Sequence, residues 1–173
     1  MYRFNVLMLL SAFIFIGILS QTKIETQSSV TATKLIDPKD PPCIQVYYCI
    51  EHYATKYKIP KRYAYAIAYY ESGYKGPMHW EYNHAVTSHA GASGPMQIMP
   101  IADVAINNNH NAKRLTHDVE YNIKTSMKML RKLYDMYNDW PIVFGYYNTG
   151  QKQVNHYSEL ITSFKPNWRW IRC

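Results

Sequence analysis

Apolar residues recur every three or four positions through most of residues 44–163, the spacing of helices with one buried face. The stretch "IQVYYCIEHYATKY" predicts a first helix ending near Ile59. Pro60 opens a second, "PKRYAYAIAYYES", with Gly73 as its stop. Residues 75–95 hold Gly, Pro, Asn and Ser and predict a long loop. Pro100 starts a short helix through about Ile106. Asp118 caps a long one whose apolar set is Ile123, Met127, Leu130, Leu133 and Tyr134. Pro141 opens "PIVFGYYN", stopped at Gly150, and a last helix covers about 151–163. No stretch alternates as a strand would, so the fold class is mainly α.

The first forty residues differ in pattern. Arg3 precedes an apolar run, "VLMLLSAFIFIGIL", and polar sequence begins at Ser20. Residues 1–20 read as an export signal, too short for a comfortable membrane span, with an uncleaved anchor as the second reading. Cleavage after Ser20 leaves Ile18 where a small residue is usual. No Cys follows the run, so a lipid anchor is not expected. Residues 21–42 are rich in Ser, Thr and Pro and read as a flexible linker. Residues 43–173 then form the single domain expected of a 173-residue chain.

The formal net charge is +7, and losing residues 1–20 removes only Arg3. A basic exported protein favours an anionic extracellular polymer over nucleic acid. Seventeen tyrosines offer flat faces suited to sugar rings, although any one of them reads more readily as half-buried core. Cys43, Cys49 and Cys173 allow one intramolecular disulfide. Six residues along one helix put Cys43 and Cys49 apart, so a bridge would use Cys173. His79, His84 and His89 recur every five residues in a loop, which fixes no common face. They read as loop histidines, and no metal or cofactor is expected.

One residue breaks the apolar pattern. Ala64, Ile67, Ala68 and Glu71 stand at i, i+3, i+4 and i+7, so Glu71 continues a greasy stripe. It also falls in its helix's last turn, at the negative end of the helix dipole. Desolvation and the dipole both disfavour the anion, and an acid protonated near neutrality is what general acid catalysis needs. The helix alone favours a blander reading, a carboxylate swinging into solvent at a frayed end. Downstream strings change that balance. "HAGASGPMQIMP" brings backbone into tight turns and presents Gln97 as donor and acceptor. "GYYNTG" puts Tyr147 and Asn148 at a helix end.

In order, "ESGY", "GASGPMQIMP", "DVEYNIKTSMKML" and "YYNTG" resemble the soluble lytic transglycosylase family, whose catalytic domain is related to goose-type lysozyme. The resemblance spans about residues 44–163 and implies a lysozyme-like domain with a glycan-binding cleft. It carries the catalytic glutamate onto Glu71 and its usual neighbour onto Ser72. Ser88 falls where a family serine precedes the Gly-rich string. Met96 and Gln97 match a cleft-lining pair, and Tyr147 and Asn148 a pair whose tyrosine is expected to hold the glutamate. Asn122 and Ile123 match a structural pair. The departures are Pro95 in place of the commoner Leu, a longer segment beginning at "YKG" and containing Trp80 and Tyr82, and no acidic "ETxxYV"-like segment after the "YYN" helix.

Only Glu71 lies in a matched motif able to reach a scissile bond, whereas most glycosidases use two carboxyl groups. One acid suffices where the C6 hydroxyl of N-acetylmuramic acid attacks its own anomeric carbon. The expected activity is therefore a peptidoglycan lytic transglycosylase, exported to the periplasm or cell envelope. The alternatives are a muramidase using water with Glu81 as second carboxylate, and a non-catalytic wall-binding protein. The resemblance also implies a role in opening the wall for an envelope-spanning secretion or conjugation machine.

Overall fold

The computed structural model describes residues 35–167. The expected export signal, most of the expected linker, and Trp168, Trp170 and Cys173 lie outside the described residues. Seven helices are present among those described: α1 (Pro42–Lys56), α2 (Lys61–Ser72), α3 (Pro100–Asn107), α4 (Ala112–His117), α5 (Val119–Tyr137), α6 (Trp140–Thr149) and α7 (His156–Ser163). The only β features there are isolated bridges, Thr87 to Ser93 and Ser93 to Ile98. None of these helices is long and apolar enough to cross a membrane.

Packing begins before the Pro41-Pro42 pair, because Ile36 is already buried. Helix α4 is an addition to the sequence reading. Asn111 caps it by accepting from the Arg114 N–H, and it ends at Asp118, which caps α5 in turn. Helix α7 starts later than expected. Asn155 and Ser158 form a reciprocal cap, so the chain from 150 to 155 is a return loop.

Helix α5 explains much of the architecture. Its buried positions include Val119, Asn122, Ile123, Ser126, Met127, Leu130 and Leu133, a stripe at three- and four-residue spacing. Helix α5 packs on α1, whose Val46 and Ile50 are fully buried. Each such side chain contributes about 1.5–3 kcal/mol by leaving water. The two polar members, Asn122 and Ser126, point to work other than packing.

Helix α2 is buried almost all round: every position from Tyr63 to Ala68 is in the core. Alanines at 64, 66 and 68 let its neighbours approach. Tyr63 anchors its start in an aromatic cluster, 4.8 Å from Phe144 and 5.3 Å from Trp140 by ring centroids. A side chain at the far end of this helix is thus delivered from the middle of the protein. Helices α6 and α7 pack closely because Gly145 has no side chain. A Cβ there would meet the Gln153 carbonyl oxygen at 1.7 Å.

Beneath α3, Asp103 is fully buried. It accepts from Asn107 (2.8 Å), the Tyr121 hydroxyl (2.8 Å) and the Asn111 N–H (3.0 Å), with His110 Nδ1 at 3.2 Å. Burial alone would raise its pKa, but these donors together hold it below the usual carboxylate range. Asp103 thereby ties α3 and α4 to α5 and is committed to structure.

Candidate active site

Glu71 occupies the last turn of α2. Gly73 follows in the left-handed conformation, φ 71°, and its N–H closes onto the Tyr69 carbonyl at 2.9 Å. The Glu71 carboxyl is half-buried and does not fray into solvent. Its Oε1 accepts a hydrogen bond from the Tyr157 hydroxyl at 2.6 Å. Burial raises the Glu71 pKa, and the Tyr157 bond, which favours the anion, pulls it back only in part. Burial and then the Glu71 charge push the Tyr157 phenol well above its ordinary value, so it stays a donor.

The sequence reading gave the glutamate-holding role to Tyr147, and the geometry corrects it. The Tyr147 hydroxyl donates to the Met96 carbonyl at 2.7 Å and lies 3.0 Å from Ser126 Oγ. Burial, and then the Glu71 charge, raise the Tyr147 phenol above its ordinary value. Tyr157 takes the carboxylate because α7 packs on α2 and the Asn155 cap puts Tyr157 in the first turn of α7. It lies after the "YYN" helix, within the span of the resemblance, which gives it no role. The signal that could have found it is the cap in "NHYSEL", which an expected start near 151 obscured.

The Gly-rich string folds as a tight double turn. Ser93 and Ile98 exchange backbone hydrogen bonds of 3.0 and 2.9 Å, with Gly94 at φ 76° and Gln97 at φ 46°. A Cβ at Gly94 would sit 2.3 Å from the Asn122 amide and 2.4 Å from the Leu115 carbonyl, so glycine is required there. Buried Asn122 reaches from α5 into this turn. It accepts from the Met96 N–H (2.9 Å) and donates to the carbonyls of Ser93 (2.7 Å) and Leu115 (2.9 Å). Two successive carbonyls of the turn are then held from other elements, Pro95 by Ser72 Oγ at 2.8 Å and Met96 by Tyr147.

The expected site residues therefore fall into groups. Glu71, Ser72, Met96 and Tyr147 converge, joined by Tyr157, which the sequence reading missed. Ser72 also contacts the Tyr82 hydroxyl at 2.7 Å, fixing the start of the long loop to the end of α2. The Met96 side chain is fully buried, so what it offers to the site is its backbone. Gln97 is partly buried, and its amide donates to the Gly94 carbonyl at 2.9 Å and the Val86 carbonyl at 3.3 Å, bracing the turn. Ser88 is exposed and accepts from the Ala92 N–H at 3.0 Å. Asn148 is also exposed, 3.2 Å from the Asn155 amide.

Comparison with known proteins identifies the family. The family described as the transglycosylase SLT domain matches residues 48–167. The chain belongs to this family. Its SLT domain is similar to the 70-kDa soluble lytic transglycosylase solved in complex with bulgecin A, with 28% identity and a TM-score of 0.51 over 66% of this chain. It also matches the 70-kDa soluble lytic transglycosylase of Escherichia coli, with 31% identity and a TM-score of 0.48 over 59% of this chain. The chain spans only 18% and 16% of those two proteins. No curated protein sequence matches it. The SLT domain is mainly helical with a lysozyme-like fold.

Most other acids of the SLT domain have structural partners. Asp118 and Asp139 cap helices, Glu120 takes the Tyr53 hydroxyl, and Glu51 takes Lys61 and Tyr65. Glu81 is exposed on the long loop. Among the described residues no three His, Cys, Asp or Glu side chains are grouped as metal ligands would be. His84 instead lies 3.3 Å from the His117 carbonyl, and burial lowers its pKa.

Proposed function

We propose that this chain is a peptidoglycan lytic transglycosylase in which Glu71 acts first as acid and then as base. The observation that carries the reading is the Glu71 carboxyl itself. It is half-buried, its pKa is raised, and its Oε1 is occupied by the Tyr157 hydroxyl. The acidic proton then belongs on Oε2. Glu71 delivers it to the glycosidic oxygen between N-acetylmuramic acid and N-acetylglucosamine as the bond to the anomeric carbon breaks. Charge develops on the carboxylate, and the Tyr157 hydrogen bond strengthens as it does. The muramic acid C6 hydroxyl attacks the anomeric carbon and returns its proton to Glu71. A 1,6-anhydro ring closes, and no water is consumed. Intramolecular attack of this kind can have an effective concentration of roughly 10⁵–10⁸ M, which offsets the missing second carboxylate.

Ser72, Gln97 and Tyr147 support the reading by fixing the turn opposite the acid, and Ser88 and Asn148 are exposed for substrate contact. Residues 1–20 serve export, residues 21–42 link the signal to the domain, and the enzyme works at the cell envelope, where it opens the wall for a spanning machine. Mass spectrometry of digested peptidoglycan tests the activity. Anhydro products, lighter by one water than hydrolysis products, are expected. Reducing ends alone would replace this proposal with a muramidase using Glu81. A Glu71→Gln variant is expected to fold and bind glycan without cleaving it, and full cleavage by that variant would remove Glu71 from the mechanism.

A further inference from the structure

A concave surface lies along the C-terminal half of α2 and the chain that follows it. A hollow of about 280 Å³ opens there. Tyr65 and Tyr74 line it, both buried and stacked with ring centroids 6.4 Å apart. Tyr69, Tyr70 and Phe164 form a wall, with Phe164 5.4 Å from Tyr69 and 5.9 Å from Tyr70. Lys75 and Lys165, both exposed, line it together with Gly76 and Asn167. No acid lines the hollow. It is an aromatic recess with two lysines that form no ion pair among the described residues.

We propose that this hollow binds the carboxylate end of the peptide arm that peptidoglycan carries on its muramic acid units. The inference rests on the proposed substrate, and three observations select the occupant. The volume is at the small end of ligand sites, roughly 300–1,000 Å³, so it suits an end group rather than a run of sugars. The charge is complementary to a carboxylate and repels a terminal amine. The separation also fits. Helix α7 places Tyr157 on Glu71 near its start and Phe164 against the hollow at its end. Two turns lie between, about 10 Å of helix. A peptide of three residues extended along that path covers about 10 Å. A carboxylate attached directly to the sugar would not reach. Lys75 belongs to "YKG", where the sequence leaves the family pattern.

The test uses the full-length chain carrying Glu71→Gln. It is titrated with an isolated tetrapeptide stem and with the same peptide amidated at its carboxylates. Backbone-amide NMR signals of Lys75, Gly76 and Lys165 are expected to shift with the free acid. Amidation, or the double substitution Lys75→Ala with Lys165→Ala, should weaken binding about tenfold. In the Glu71 enzyme the double substitution should raise KM on peptide-bearing strands, keep kcat, and leave cleavage of peptide-free strands unchanged. Equal binding of acid and amide, shifts confined to other surfaces, or displacement of the peptide by peptide-free glycan would each overturn the assignment. If the Glu71 enzyme cleaves neither kind of strand, the proposed function fails, and the peptide titration still reads the hollow directly.

Discussion

Replacing Tyr157 with Phe isolates the one hydrogen bond made to the proposed catalytic carboxyl among the described residues. The ring and its packing stay, and only the 2.6 Å contact to Glu71 Oε1 is lost. A hydrogen bond to a neutral acid is worth about 0.5–1.5 kcal/mol net and one to an anion about 1.5–3. Only the difference bears on catalysis, because the starting acid is neutral and negative charge appears in the transition state. That difference is about 1–2 kcal/mol, so kcat/KM should fall roughly 5- to 30-fold if proton transfer is nearly complete. The pH profile supplies the sharper readout. The bond favours the anion and opposes burial, so its removal raises the Glu71 pKa further. The alkaline limb, where the required proton is lost, should move to higher pH. The gap between wild type and variant should narrow as pH rises. Release of anhydro-ended fragments, measured across pH for both proteins, checks this. Tyr147→Phe is the control, because it loses the bond to the Met96 carbonyl and leaves the Tyr157 contact in place. A Tyr157→Phe limb that stays fixed or moves down would refute the claim that Tyr157 tunes the acid.

Gly145→Ala puts a methyl group into the Gln153 carbonyl and should destabilise by about 1–3 kcal/mol or more, measured by denaturant unfolding. Because the displaced segment leads into α7, activity per folded molecule should fall as well. Asp103→Asn should remove a pH dependence of stability. The native carboxyl has a depressed pKa, so its stabilisation is present above the ordinary carboxylate range and is lost as pH falls through the folded value. Acid-unfolding curves of the two proteins should converge at low pH, and parallel curves would contradict the buried tie.

Much of this was legible in the chain because local rules agreed with tertiary demands. Asp118, Gly73 and Gly150 stop or start helices for backbone reasons that no distant contact overrules. Glu71 stood out as a carboxylate on an apolar stripe. What stayed hidden depended on long-range pairing. Tyr157 is one of seventeen tyrosines, and nothing near it in sequence says that it crosses to α2. Met96 and Gln97 matched a family motif, but a motif does not say whether a residue serves through its side chain or its backbone. Asp103 lies in the first turn of α3, where the helix dipole by itself accounts for an acid, and its four partners come from positions 107, 110, 111 and 121.

Asn122 gives to and takes from the Gly-rich turn the same bonds that a neighbouring peptide unit would. One side chain thus substitutes for a strand that this fold lacks, and it is rooted in the longest helix. The proposed active site accordingly has one fixed wall. Residues 93–98 can move only with α5, since independent motion would break two buried hydrogen bonds. The end of the long loop shares that anchor, because the Gly94 N–H donates to the Val86 carbonyl at 2.8 Å and Thr87 bridges to Ser93, so freedom to move is left to the part of the loop before Val86, which carries exposed Met78 and Trp80.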